Sequence, residues 1–159
     1  MNHGGDLYNK RFADKETKIN PTTASKLRLK WEFYAGNDIG ATPAIFDGVL
    51  YFPSWNGNLY AVRASDGSLV WKKDLQTLTG LRPSGFALNV NRTAARATPT
   101  IAGDLLIVGI YGPPVLFTVR QSTGDLVWST RLTNNIAGVI TMSGTYYQGW
   151  VSVLSFLLH

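Results

Sequence analysis

Cysteine is absent from all 159 residues, which excludes a disulfide framework, a thiolate metal site and a cysteine nucleophile while leaving the compartment open. Histidine is nearly absent. His3 and His159 stand at opposite ends of the chain with no partner in sequence, so each reads as a solvated terminal group rather than a catalytic one. No apolar run approaches the ~20 residues needed to span a bilayer, and the opening MNHGGDLYNK lacks the apolar core of a signal peptide. Helical periodicity and βαβ alternation are both missing, which removes most nucleotide-binding folds.

Charge is scarce as well, and it is unevenly placed. Charged residues make up 16% of the chain against 45% hydrophobic, a balance that permits a packed core in one ordinary domain. Of the fifteen basic residues, seven (Lys10, Arg11, Lys15, Lys18, Lys26, Arg28 and Lys30) fall in the first thirty positions, against three acidic ones (Asp6, Asp14 and Glu16). That segment carries most of the formal +5, and the remainder is nearly neutral. A nucleic-acid reader would interleave its basic residues with aromatic platforms or line them along one helix face. This segment does neither, so it reads as a solvated basic lead-in over residues 1–24, and no nucleic-acid partner is expected.

What is present in abundance is repetition. ATPAIFDGVLYFPSWNGNLYAVRASDGSLVWKKDL (41–75) lies over ATPTIAGDLLIVGIYGPPVLFTVRQSTGDLVWSTRL (97–132), with one residue inserted in the second copy and with Trp71 over Trp128. Each copy breaks into four β-rich runs separated by turn dipeptides. In the first copy these are Asp47-Gly48, Asn56-Gly57 and Asp66-Gly67, which supply the positive φ that tight hairpin turns demand. One repeat is therefore a four-stranded antiparallel meander. SKLRLKWEFYAG (25–36) resembles the closing strand of an earlier unit and delivers Trp31; VITMSGTYYQG (139–149) resembles an opening strand, a Ser-Gly turn and the start of the next strand. Four-stranded units at this spacing, each with a tryptophan in a fixed place, are the pattern of a radial β-propeller. The expected fold is all-β: a partial propeller over residues 25–149, with two full blades and parts of two others. Trp71 and Trp128 are both expected to be buried between successive blade sheets.

Ala61, Asp66-Gly67 and Trp71, with their counterparts Thr118, Thr123-Gly124 and Trp128, resemble the tryptophan-docking repeat of the pyrroloquinoline quinone (PQQ) dependent dehydrogenases. WEFYAGNDIGATPAIF, YFPSWNGNLYAVRASDGSLVWK and LLIVGIYG, with the opening from Asn2, look more narrowly like the polyvinyl alcohol dehydrogenase-like quinoproteins, plant members included. The resemblance implies an eight-bladed propeller that oxidises a hydroxyl to a carbonyl in the full-length family, with PQQ and calcium as cofactors and an alcohol as substrate. Full-length relatives of this kind are several hundred residues long and often secreted, so the chain is expected to cover the first few blades and both ends look cut. Arg63 and Arg120 depart from the family, which has an aspartate two residues after the alanine.

Arg96, in NRTAARATPT, stands where the resemblance implies a cofactor-contacting arginine just ahead of an opening strand. Its equivalent in the preceding repeat is Gly40, so the repeat itself does not demand it. A guanidinium suits a tricarboxylate quinone, and the competing reading is an exposed loop arginine. Val90 and Asn91 occupy the place of a vicinal cysteine pair found in some relatives, and no position here matches the family's calcium ligands or catalytic aspartate, which belong to later blades. Trp55 reads as a gap-filler between blades or as a stacking surface. Asn91-Arg92-Thr93 is an N-glycosylation sequon that has meaning in a secreted protein.

Residues 150–159, WVSVLSFLLH, read as a divergent apolar tail, too short for a membrane anchor. A substitute C-terminus, an interfacial peptide and a strand closing an unusual small domain all fit it, and the abrupt loss of similarity at Gly149 favours the first. Two functional classes remain: a quinoprotein dehydrogenase fragment inactive by itself, and a non-catalytic propeller-repeat module for protein interaction. Open blade edges invite self-association in either case.

Overall fold

The structure, a computed structural model, describes residues 16–157. His3, His159 and the first fifteen residues of the basic lead-in lie outside them. Blade one consists of β1 (Ala44–Phe46), β2 (Val49–Pro53), β3 (Asn58–Arg63) and β4 (Leu69–Asp74), paired antiparallel in chain order. Blade two repeats it with β5 (Thr100–Ala102), β6 (Leu105–Gly109), β7 (Val115–Arg120) and β8 (Leu126–Arg131). The register shifts between Ala61 and Val62 in one blade and between Thr118 and Val119 in the other, the same bulge at the same repeat position. Among the described residues helix is confined to α1 (Pro21–Ala24), α2 (Leu75–Thr79) and a 3-10 turn over Gly85–Val90. The run LVWKKDL thus stops as a strand at Asp74, whose carboxylate caps α2 by accepting from the Thr77 N–H at 2.7 Å.

Alternation along the third strand of each blade builds the packing between blades. Leu59 and Ala61 of β3 face blade two with Tyr51 and Trp71, meeting Leu106, Val108, Ile110, Val115, Phe117 and Val119. Tyr60 and Val62 face the other way with Phe52, onto the extended segment that carries Trp31, Phe33 and Ala35. Blade two repeats the arrangement. Leu116 and Ile107 turn away from blade one and pack with Ala102 against Val151 and Val153. Both third strands are buried on both faces, which is why they read as apolar runs rather than as a clean alternation.

The tryptophans join one blade to the next by a single geometry. The Trp71 indole N–H donates to the Gln121 carbonyl at 2.7 Å, and its ring covers Gly124, where a Cβ would come within 2.9 Å of it. Trp31 does the same to blade one, donating to the Ala64 carbonyl at 3.0 Å and covering Gly67. Gly67 and Gly124 both have positive φ, so turn and docking impose the same residue. Beside Gly124, Lys73 reaches Asp125 at 2.8 Å; the ammonium, with the Thr123 hydroxyl, holds the Asp125 carboxyl below its usual range.

Two expectations are corrected. Trp71 is 8% exposed, but Trp128 is 39% exposed, because its indole points toward a third blade of which the described residues supply only the first two strands. The turn that would cover it follows a blade's third strand. Nor does the blade pattern stop at Gly149. Beyond the two-residue β9 (Gly138–Val139), the opening strand of blade three is β10 (Thr145–Tyr147). Its turn is Gln148-Gly149, with φ of 47° and 86°, and Trp150–Ser152 forms the second strand, β11. Ser143-Gly144 is the lead into β10, in the place of Thr-Pro in the other copies, and the Thr100 hydroxyl donates to the Gly144 carbonyl at 2.7 Å. A last strand, β12 (Phe156–Leu157), returns to pair with β9.

Thermal melts will separate the tryptophans. Trp71→Ala is expected to cost about 3–5 kcal/mol, the range for a buried aromatic cut to alanine, and Trp128→Ala clearly less. Trp150, 79% exposed, should change stability by less than about 0.5 kcal/mol when truncated. A glycine pair isolates the ring contact. Gly103 has φ +61° with open space around it, whereas Gly124 has φ +71° under Trp71. Alanine at either pays the left-handed penalty of about 1–2 kcal/mol, and a larger loss at Gly124 measures the docking.

Candidate functional site at the head of blade two

The innermost strands β1, β5 and β10 are neighbours in turn, so the chain approaching each of them lies toward the axis of the array. Arg96 sits on that approach, four residues before β5, and is exposed. Its guanidinium carbon lies 5.8 Å from the centre of the Tyr111 ring, a cation–π contact. Tyr111 in turn meets Trp55 edge to face, with ring centres 5.4 Å apart and planes at 77°. Contact through the ring leaves the guanidinium N–H groups without a carboxylate in salt-bridge range among the described residues.

Trp55 and Tyr111 hold the same repeat position, just past the second strand of their blades. The Trp55 N–H donates to the Asp38 carbonyl and the Tyr111 N–H to the Ala94 carbonyl, at 2.9 and 2.8 Å, so each aromatic is tied to the lead-in of its own blade by an equivalent bond. Half-buried Trp55 therefore joins the two blades through its contact with Tyr111. Gly40, the repeat equivalent of Arg96, lies beneath the Trp55 indole, where a Cβ would come within 3.0 Å of Nε1. Blade one has an aromatic without the cation; blade two has both. Tyr111 is the residue that sequence reasoning missed, although laying Trp55 over its counterpart in the second copy would have found it.

A polar groove of about 590 Å³ lies nearby, lined by Asn56, Asp74, Gln76, Thr77, Asn91 and Arg92 among others; Arg96 is not part of its wall. Arg92 closes one side by donating to the Asn56 carbonyl at 3.0 Å. The sequon falls here. Asn91 is exposed with φ of 50° at the end of the 3-10 turn, and Thr93 is buried with its hydroxyl donating to the Leu81 carbonyl at 2.6 Å. Among the described residues no three His, Cys, Asp or Glu side chains gather to hold a metal ion, and no helix is long and apolar enough to cross a membrane.

Fold, repeat and docking geometry define an array of β-propeller blades. No family model matches the chain. Quinoprotein alcohol dehydrogenase PedH of Pseudomonas putida is 27% identical over 124 residues, 76% of this chain and 20% of PedH. The dehydrogenase subunit of the quinone alcohol dehydrogenase of Gluconacetobacter polyoxogenes is 28% identical over 131 residues, 81% of this chain and 17% of that protein. Outer membrane protein assembly factor BamB of Moranella endobia is 26% identical over 129 residues, 81% and 29% of the two chains. The crystal structure of quinohemoprotein alcohol dehydrogenase from Comamonas testosteroni superposes with a TM-score of 0.74 at 19% identity, covering 98% of this chain and 23% of that one. A europium-containing methanol dehydrogenase gives 0.67 at 17% identity, covering 89% and 24%. The chain is thus similar in sequence to quinoprotein alcohol dehydrogenases and to BamB, and it shares its fold with the quinoprotein structures. It spans about a fifth of the length of the quinoprotein relatives it matches.

Because Arg96 is exposed and Tyr111 only half-buried, their stability effects should diverge. Arg96→Ala is expected to leave the melting temperature within the scatter of surface substitutions, about 0.5 kcal/mol, whereas Tyr111→Ala, which removes the partner of Trp55, should lower it measurably.

Proposed function

We propose that the chain forms the first blades of a quinoprotein of the polyvinyl alcohol dehydrogenase-like kind, in which the complete propeller oxidises a hydroxyl to a carbonyl. The observation that carries this reading is Arg96 held over Tyr111 at the axial end of blade two, at a repeat position where blade one has glycine. PQQ is a tricarboxylate, and a guanidinium matches a carboxylate with two parallel hydrogen bonds, so Arg96 is suited to one of its acidic groups. When bound, the quinone supplies the electron sink for alcohol oxidation. The contribution of this chain is to position: Tyr111 orients the guanidinium, Trp55 fixes Tyr111, and the Trp71 docking fixes the two blades that carry them. Calcium is implied by the same kinship, and its ligands are not gathered among the described residues.

A second reading has its own support. BamB matches as much of this chain as the dehydrogenases do, at similar identity. In that reading the blades are a non-catalytic module for a protein partner, and Arg96 is a surface cation.

Titrating PQQ while following tryptophan fluorescence separates the two. Saturable quenching that weakens at least tenfold in Arg96→Ala is expected; no quenching, or equal quenching in both proteins, overturns the role of Arg96 and favours the repeat module. With PQQ and calcium the chain alone is expected to oxidise no secondary or polymeric alcohol. Turnover by the chain alone would overturn the assignment of the chemistry to later blades.

A further inference from the structure

Blades one and two leave a cleft of about 430 Å³ between them at the turn end of their strands, opposite the end that carries Arg96. Phe46, Asp47, Tyr51 and Val70 line it from blade one, Asp104 and Gln121 from blade two. Both walls belong to complete four-stranded blades, docked on each other beside the cleft by the bond from Trp71 to the Gln121 carbonyl.

Two residues of the cleft break the repeat. Tyr51 pairs with Ala61 as Ile107 pairs with Thr118, so a phenol stands in blade one where blade two has an aliphatic side chain. The Gln121 N–H donates to the Asp104 carbonyl as the Ala64 N–H does to the Gly48 carbonyl, so an amide stands in blade two where blade one has a methyl group. Tyr51 is 4% exposed and Gln121 9%. The Gln121 amide nitrogen donates to the Gly103 and Leu105 carbonyls at 2.7 and 3.1 Å, which leaves Oε1 to face other donors. Neither that oxygen nor the Tyr51 hydroxyl has a hydrogen-bond partner among the described residues. Burial, with the Asp47 carboxylate nearby, raises the Tyr51 phenol above its ordinary range, so it remains a neutral hydroxyl. Among the described residues Asp47 has no cation in salt-bridge range, whereas Asp104 is met by Arg120 at 3.2 Å.

The cleft therefore offers acceptor oxygens from Asp47, Tyr51 and Gln121 beside a phenyl ring and a valine. A donor-rich cation on an apolar stem answers that demand. Guanidinium does so better than ammonium, because it is planar, weakly hydrated, rich in N–H donors and able to stack on an aromatic ring. We propose that this cleft receives the side chain of an arginine presented by a partner polypeptide, its guanidinium among Asp47, Tyr51 and Gln121 and its methylene stem along Phe46 and Val70. Arginine is among the residues that anchor protein interfaces by filling such pockets. The inference concerns the end of the blades away from Arg96 and does not rest on the quinone reading.

The test uses the whole chain, labelled with nitrogen-15, and the capped tripeptides Ala-Arg-Ala, Ala-Lys-Ala and Ala-citrulline-Ala. The Trp71 indole N–H resonance reports on the cleft, since its ring lies 6.0 Å from that of Tyr51 and its proton is bonded to Gln121. The arginine peptide is expected to shift that resonance saturably, the lysine peptide to bind more weakly, and neutral citrulline to leave it unmoved. Tyr51→Phe keeps the ring against Trp71, and Asp47→Asn keeps a side chain that tolerates the φ of 46°. Each should weaken arginine-peptide binding about tenfold, the loss of one hydrogen bond to a charged group. An unchanged indole resonance in the free variants verifies that the blades stay docked. No shift with the arginine peptide, equal binding of the lysine or citrulline peptide, or unchanged affinity in either variant overturns the proposal. So does equally tight binding of methylguanidinium ion alone, which would assign the cleft to a free small cation.

Discussion

The hydrogen bond from the Trp71 indole to the Gln121 carbonyl, with the ring lying over Gly124, is the constraint on which the rest of this structure depends. Neither blade has a face it can leave in water. Leu59, Ala61, Tyr60 and Val62 are all buried although they alternate between the two sides of one strand, so blade one requires neighbours on both. Apolar contact alone would hold two sheets together without fixing how far one slides over the other. The indole N–H supplies that register: once inside the interface it needs an acceptor, and the carbonyl that meets it stands at one place on the next blade. The side-chain-free glycine at the turn lets the ring approach, and its positive φ is what the turn required in any case.

Fixing the blades fixes the site. Trp55 and Tyr111 are tied by equivalent bonds to the lead-ins of their own blades, so their edge-to-face contact exists only while the blades hold the docked register. Arg96 is then presented over Tyr111 by a chain of contacts that begins some distance away at Trp71. A shift of one blade against the other would separate the aromatic pair before it disturbed either blade internally. The role proposed for Arg96 therefore rests on packing that has no chemical role of its own.

Much of this was legible in the sequence because repetition makes each signal appear twice. The Asp-Gly and Asn-Gly turns, the four runs and the tryptophan places were readable, and in both copies the four runs appear as the four strands of one sheet. Trp128 was misjudged because repeat position reports what a residue is shaped to do, whereas burial also depends on the element that comes next. Blade three was placed one strand too early because Ser143-Gly144 looks like a hairpin turn, although the positive-φ pair is Gln148-Gly149. WVSVL was set apart as a tail because its composition departs from the other copies; a second strand asks only for alternation, and Val151 and Val153 meet that demand against Leu116 and Ile107. Tyr111 escaped notice because a tyrosine in place of tryptophan reads as substitution rather than equivalence.

The same logic says where function can be sought in a repeat. Positions that recur in both copies are accounted for by docking: the tryptophan, the turn glycine, the small residue opposite the tryptophan, the apolar runs. What packing does not account for is a position where the copies differ in chemistry while the surrounding backbone stays the same. Gly40 and Arg96 are such a pair, since both precede an innermost strand by four residues and both lie against the aromatic at the end of the second strand. Glycine there leaves room for the larger Trp55 ring; arginine there places a permanent charge on the axial side of Tyr111. Stability gives no reason for the exchange, because an exposed cation over a tyrosine adds little to a fold already held by Trp71. In the function proposed for the chain, that charge is free to meet an acidic ligand on the axial side of the blades.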